Sequence, residues 1–253
     1  MSALILVATP IGNLGDMSSR ALESLRNADV IACEDTRHTL KLLTHFSIQK
    51  PLISYHDFNE REKSNEIVAL IEAGKNVALV SDAGTPTISD PGYRVVRLCR
   101  ERGIRVISIP GPNAAIAALA ASGLPSDQFM FAGFLPPRQS ARKEFLEKLK
   151  SFTGTLIFYE APHRILSTVD DMREVFGDRD ACVCRELTKI HEEFLFGRLS
   201  EVKGRITEMG EFVLVIAGMQ DEGRTAKEEW TRERVLKTLG ISRNELYDLF
   251  FKK

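Results

Sequence analysis

Leu79-Val80-Ser81-Asp82-Ala83-Gly84-Thr85-Pro86-Thr87-Ile88-Ser89-Asp90-Pro91-Gly92 decides the fold. Its opening residues complete a short apolar run, 77–80, that reads as a buried strand. The run stops at a Gly/Pro-rich turn. Asp90-Pro91 then reads as a helix N-cap with proline at the first helical position, and Gly103 as that helix's end. Strand, turn and helix recur on both sides. Upstream, 4–8 and 30–33 are strand-like and 51–55 is a weaker candidate. Ala21, Leu22, Leu25 and Ala28 share one helical face. Asn59 with Glu62 resembles a capping box, opening a helix carried by Ile67, Val68, Leu70 and Ile71. Downstream, 106–109 is another strand. This alternation predicts an α/β chain whose first part is a mostly parallel sheet with helices on its faces.

Pro110-Gly111-Pro112-Asn113 interrupts the pattern, and an Ala-rich helix follows over 114–122. Strands are predicted at 129–134, 155–159, 181–185, 193–196 and 212–217, separated by turn residues and fewer helices. That part reads as a mixed, partly antiparallel sheet. The expected domains are therefore 1–112 and 113–223. A helical tail follows at 224–253, where Ser242 and Glu245 form a second capping box. The tail reads as a docking hairpin or a helix-turn-helix.

Bulk composition narrows the function class. The chain has 253 residues, 43% hydrophobic and 27% charged, as in a soluble globular protein. A net charge of -1 gives no global basic field, so a nucleic-acid partner must be met by local patches. No apolar run approaches bilayer-spanning length, and the N-terminus carries no basic region before its first apolar run. A cytoplasmic protein with no membrane partner is expected. Cys33, Cys99, Cys182 and Cys184 read as small buried hydrophobes, not a metal site.

Four segments share one design, an apolar strand stopping at a Gly- or Pro-bearing turn. They are 7–15, 79–86, 108–113 and 158–164. In open α/β sheets ligands bind beyond the carboxyl ends of the strands. None of the four is a P-loop or a Gly-x-Gly-x-x-Gly turn, so a phosphate-rich nucleotide is disfavoured. Backbone groups, a few hydroxyls and little basic charge better suit a ligand with one carboxylate, an adenine and a cationic centre.

Ser-Asp-Ala-Gly-Thr-Pro-Thr-Ile-Ser-Asp-Pro-Gly (81–92), Val-Ala-Thr-Pro-Ile-Gly-Asn-Leu-Gly-Asp (7–16), Glu-Asp-Thr-Arg (34–37), Pro-Gly-Pro-Asn-Ala (110–114) and Tyr-Glu-Ala-Pro-His-Arg (159–164) resemble the tetrapyrrole methylase superfamily. Within it they look like the methyltransferases of small-subunit ribosomal RNA. The resemblance runs in order from residue 4 to about 220. It implies a two-domain architecture with S-adenosylmethionine in the cleft between the domains, a homodimer, and 2'-O-methylation of a cytidine ribose. The partner would be ribosomal RNA or the small ribosomal subunit. Alternatives within the resemblance are a methyltransferase acting on a tetrapyrrole or a modified protein, and a non-catalytic ribosome-assembly protein.

Carried over by position, the cofactor residues would be Thr9 and Pro10, then Ala83, Gly84, Thr85, Pro86 and Ile88, then Gly111, Pro112, Asn113 and Ala114. Tyr159, Ala217 and Gly218 would complete them. Methyl transfer from a sulfonium is an in-line displacement that needs alignment and no metal. A ribose hydroxyl is a poor nucleophile, so a base should assist. Glu160 is the first candidate, set against a pairing with Arg164 at (i, i+4), and Asp35 is the second, set against a role as an N-cap. Arg37, Lys41, Arg138, Arg142, Lys143, His163, Arg164, Arg185 and Lys189 are the candidate RNA contacts.

Overall fold

The computed structural model describes residues 2–220. The predicted helical tail at 224–253, and the last three residues of the expected 113–223 unit, lie outside them. The first part runs β1 (Ala3–Val7), α1 (Ser19–Asn27), β2 (Val30–Cys33), α2 (Thr36–His45), β3 (Leu52–Ser54), α3 (Glu60–Glu72), β4 (Val77–Leu79), α4 (Tyr93–Glu101) and β5 (Arg105–Ile109). Its sheet has the order β3-β2-β4-β1-β5 with every pairing parallel. Both faces are covered, which is why the strands are nearly continuous apolar runs. Ala21, Leu25 and Leu43 of α1 and α2 pack on Val7, Ile31 and Val80. Ile67, Ile71, Val95 and Cys99 of α3 and α4 pack on Leu4, Ala32 and Leu79 from the other side.

The second part runs α5 (Ala114–Ala121), β6 (Phe129–Phe134), α6 (Gln139–Leu149), β7 (Thr155–Glu160), α7 (Ile165–Phe176), β8 (Asp180–Arg185), β9 (Glu193–Arg198), α8 (Leu199–Lys203) and β10 (Phe212–Ile216). Its sheet has the order β6-β7-β10-β8-β9. Only β6 and β7 pair in parallel; β10 runs against both β7 and β8, and β9 against β8. One face carries α6, α7 and α8 through Leu146, Val169, Met172 and Val202. The other carries α5, whose Ala115, Ala118 and Leu119 meet Cys182, Cys184 and Val215. All four cysteines are buried and none is in a disulfide.

Three local readings are corrected. The second part holds more helix than its turn residues suggested: Ile165, Val169, Met172, Val175 and Phe176 put one apolar stripe along α7. Asn59 precedes α3 but caps nothing, because its amide is spent elsewhere. Its Oδ1 accepts the His56 N–H (2.9 Å), and its Nδ2 donates to the Ser54 carbonyl (3.1 Å). Asp90 is not the cap of α4, which begins at Tyr93 after Gly92. Gly92 takes φ 141°, and a Cβ there would come within 2.7 Å of Thr87 Cγ2, so the turn requires glycine. Among the described residues no helix is long and apolar enough to cross a membrane.

Candidate active site

The carboxyl ends of β1, β4 and β5 interlock before they hold anything. Thr9 and Gly84 exchange two backbone hydrogen bonds (2.9 and 3.0 Å), and the buried Thr9 hydroxyl donates to the Ser81 carbonyl at 3.0 Å. The Thr85 hydroxyl donates to the Pro112 carbonyl at 3.0 Å. Gly111 lies over Ala8 so closely that a Cβ would stand 2.9 Å from Ala8 Cβ. Asn113 caps α5, its Oδ1 accepting the Ile116 N–H at 3.1 Å. Parallel neighbours ending at one level, joined by Gly and Pro turns, make the floor of a cleft.

Above that floor is a cavity of about 430 Å³. From the first sheet it takes Ile11, the run 82–85, and Ile88, Ser89 and Asp90; Asn113 and Ala114 join at the start of α5. From the second sheet it takes Phe134 after β6, residues 159–162 at the end of β7, Leu187 after β8, and residues 211–213 at the start of β10. The Tyr159 hydroxyl accepts the Ala115 N–H at 3.2 Å, and its ring meets Phe131 and Phe134 edge-on. Of the expected cofactor residues, Ala83, Gly84, Thr85, Ile88, Asn113, Ala114 and Tyr159 line this cavity. Thr9, Pro10, Pro86, Gly111 and Pro112 do not; where their contacts are defined, they brace the floor beneath it.

Ala217 and Gly218 stand at the wrong end of the sheet. β10 runs antiparallel to β7, so its first residue, Phe212, pairs with Glu160 at the cavity, and Ile216 pairs with Leu156 far from it. Gly218 packs against the backbone of Thr153 and Gly154. The residues of this strand that face the cavity are Glu211, Phe212 and Val213, and only the direction of pairing reveals them.

The two expected bases are also committed elsewhere. Glu160 lies in the cavity wall, but its side chain is wholly buried. It accepts the Thr168 hydroxyl (2.6 Å), the Ala161 N–H (2.7 Å) and the Arg164 guanidinium (2.6 Å). The (i, i+4) pairing is the arrangement present. Asp35 caps α2 by accepting the Arg37 N–H at 2.8 Å, and it also pairs with the Arg37 side chain. The side-chain and backbone hydrogen bonds from Arg37 hold its carboxyl at about 2, too weak a base for a hydroxyl.

A different carboxylate has the character a base needs. Asp90 lines the cavity. Burial, and then the negative charges of Glu34, Asp82 and Asp57, push its carboxyl up to about 7, while a hydrogen bond from Ser81 opposes them. Burial and the same acidic neighbours raise Glu34 as well. Glu34, Asp57 and Asp82 follow three adjacent strands, β2, β3 and β4, and so converge at one end of the sheet. Sequence reasoning assigned Asp90 to a helix cap; its position within the 81–92 turn was the available signal.

The candidate RNA contacts divide by exposure. Arg37, Lys41, Arg138 and His163 are exposed. Arg142 is 3% exposed and is locked to the buried Asp171 at 2.6 Å. Its place on the inward face of α6 removes it from any surface. Arg164 is largely buried against Glu160 and the Leu135 carbonyl. Lys143 pairs with Glu174, Arg185 with Glu193, and Lys189 with Glu186 and Glu211. These three are internal partners of the second sheet and its helices rather than free cations.

This geometry has known counterparts. The family model for tetrapyrrole (corrin/porphyrin) methylases matches residues 3–203. The ribosomal RNA small subunit methyltransferase I of Synechocystis sp. is 51% identical, with 97% of this chain and 90% of that protein covered. Its counterpart in Bacillus subtilis is 43% identical, with 100% and 95% covered. Among solved structures, a diphthine synthase superposes with a TM-score of 0.67 at 18% identity, covering 85% of this chain and 90% of that one. The uroporphyrin-III C-methyltransferase of Thermus thermophilus, complexed with S-adenosylhomocysteine, does so with 0.59 at 18%, covering 85% and 97%. With two sheets meeting over one cavity and a match that spans nearly its whole length, the chain belongs to the tetrapyrrole methylases, and within them to the ribosomal RNA small subunit methyltransferase I family.

Proposed function

We propose that the chain transfers a methyl group from S-adenosylmethionine to the 2'-hydroxyl of a cytidine in small-subunit ribosomal RNA. The observation that carries this reading is the cavity at the strand ends, with an acid poised near neutrality in its wall. A volume of about 430 Å³ is within the range of small-molecule sites. Its residues fit the cofactor. Ile11, Ile88, Leu187, Phe212 and Val213 offer apolar surface for an adenine. Asp82 and Asp90 offer negative charge to a cationic centre. When bound, the sulfonium supplies an activated methyl group.

The chain's own task is positioning and proton acceptance. The interlocked turns at Thr9, Gly84, Thr85 and Pro112 hold the floor rigid. Asp90 accepts the proton of the ribose hydroxyl as that oxygen attacks. Its raised affinity for a proton makes it a stronger base than an ordinary aspartate while leaving much of it ionised near pH 7. Arg37, Lys41, Arg138 and His163, all exposed, are the groups that meet RNA phosphates. Residues 1–112 and 113–223 act as the two domains that enclose the cofactor. Phe129 and Met130, exposed on β6, an edge strand among the described residues, support a homodimer, and the enzyme works in the cytoplasm.

Mass mapping of ribosomal RNA from cells lacking the protein tests the reading. One 2'-O-methylcytidine should be lost, restored by the wild type and not by Asp90→Asn. An unchanged methylation map would overturn the function. Full restoration by the Asn variant would remove Asp90 as the base.

A further inference from the structure

We propose that Glu60, which lies outside the cavity, is a positioning residue for the reaction. Its carboxylate closes the N-terminus of α4 from the neighbouring helix and so fixes where Asp90 stands. The inference rests on the methyltransferase reading of the cavity given above.

The segment between β4 and α4 is wound in costly backbone conformations. Thr87 takes φ 75° and Ser89 φ 61°. A β-branched residue at positive φ is a true outlier, and such strain, about 1–3 kcal/mol per residue, persists only where the surroundings over-determine it. At its upstream end the segment is pinned by the Thr85 hydroxyl on the Pro112 carbonyl and by the Ile88 N–H on the Thr85 carbonyl. At its downstream end α4 supplies no cap of its own, because Gly92 has no side chain.

Glu60 supplies the missing cap. It is the first residue of α3, and its side chain is only 12% exposed. Oε1 accepts the Gly92 N–H at 3.0 Å and the Arg94 N–H at 3.3 Å, the donors that an opening helix leaves unpaired. The same oxygen accepts the Tyr55 hydroxyl at 3.0 Å, and Tyr55 is itself 1% exposed and bonded to Ser64. Oε2 takes the Arg94 guanidinium at 3.0 Å. The cap is therefore anchored in the core beneath α3, two residues downstream of Asp90. Remove it, and the strained segment holding Ser89 and Asp90 loses its downstream pin, leaving the upstream hydrogen bonds and the Ser81 hydrogen bond to hold it.

The test uses the full-length enzyme with S-adenosylmethionine and small-subunit RNA. Glu60→Ala should lower kcat about 100-fold, the cost of misplacing a reacting group by about 1 Å. Glu60→Gln keeps the acceptor Oε1 and should restore kcat to within about fivefold of wild type. Arg97→Ala, which removes only an exposed pair with Glu101 on the same helix, should leave kcat unchanged. In a double-mutant cycle, Glu60→Ala should add less than about threefold to the loss caused by Asp90→Asn, because both act through one group. By hydrogen exchange without cofactor, the Gly92 and Arg94 amides should exchange at least about tenfold faster in Glu60→Ala. Should that variant not fold, Glu60→Met keeps the bulk, removes the acceptor and faces the same criteria. Wild-type kcat in the variant, an additive cycle or unaltered amide exchange would each overturn the role. A wild-type protein that methylates no ribosomal RNA would overturn the function itself, and this role with it.

Discussion

Asp90→Asn should make the protein more stable at pH 8 while leaving only a small residual activity, and the gain should fade as the pH falls. In the fold, burial and then Glu34 raise this carboxyl from the ordinary 3.8 to about 7. A group whose folded value is raised contributes stability that is complete below the unfolded value and lost as the pH rises through the folded one. The contribution is therefore whole below about pH 4, declines from there to about 7, and is absent above. Three pH units at about 1.4 kcal/mol each set a ceiling near 4 kcal/mol. Water at the cavity mouth screens the charges, so about 2 kcal/mol is expected at pH 8. Asparagine resembles the protonated acid and does not titrate. At about 2–4 °C per kcal/mol, its thermal midpoint should exceed the wild type's by about 4–8 °C at pH 8. At pH 4 most of that gain should be gone. Paired unfolding curves at pH 4, 5, 6, 7 and 8 measure it, and groups not coupled to Asp90 cancel between the two proteins. A difference that does not change with pH, or an Asn variant less stable at pH 8, would refute the electrostatic account of this site.

Four further outcomes are expected. Asp171→Ala strands the buried guanidinium of Arg142, to which it pairs at 2.6 Å, and should cost about 3–5 kcal/mol in urea unfolding. Arg142→Met should cost less and leave RNA affinity and its salt dependence as in wild type, because a residue 3% exposed meets no phosphate. Asp35→Ala should lower the thermal midpoint slightly by removing the cap of α2, and its pH–rate profile should match wild type above pH 4, since this carboxyl titrates near 2. Gly111→Ala should cost about 1–3 kcal/mol and weaken cofactor binding, because the new Cβ would press on Ala8 at 2.9 Å and tilt the floor.

Strand positions were legible in the sequence because burial on both faces writes itself as an apolar run, and 30–33 and 129–134 coincide with β2 and β6. The turns were legible because glycine and proline mark them whatever the neighbours do. What the chain could not disclose is what each polar side chain spends itself on. Asn59, Asp35, Glu160 and Arg142 all carry the right chemistry for the roles they suggest. Each is consumed by a partner: Asn59 and Asp35 by groups a few residues away, Glu160 by Arg164 and Thr168, Arg142 by Asp171 from 29 residues on. Asp90 presents the opposite case, since its neighbours in the chain suggest a cap while its neighbours in space include Glu34 and Asp57 from two other strand ends, beside Asp82 of its own turn. Ala217 and Gly218 show the limit most sharply. Placing them correctly needed only the direction of β10, yet Phe-Val-Leu-Val-Ile reads equally well as a strand running toward the cavity or away from it. Only the pairing of Phe212 with Glu160 decides between the two, and it moves the cavity-facing residues of this strand from 217–218 to 211–213.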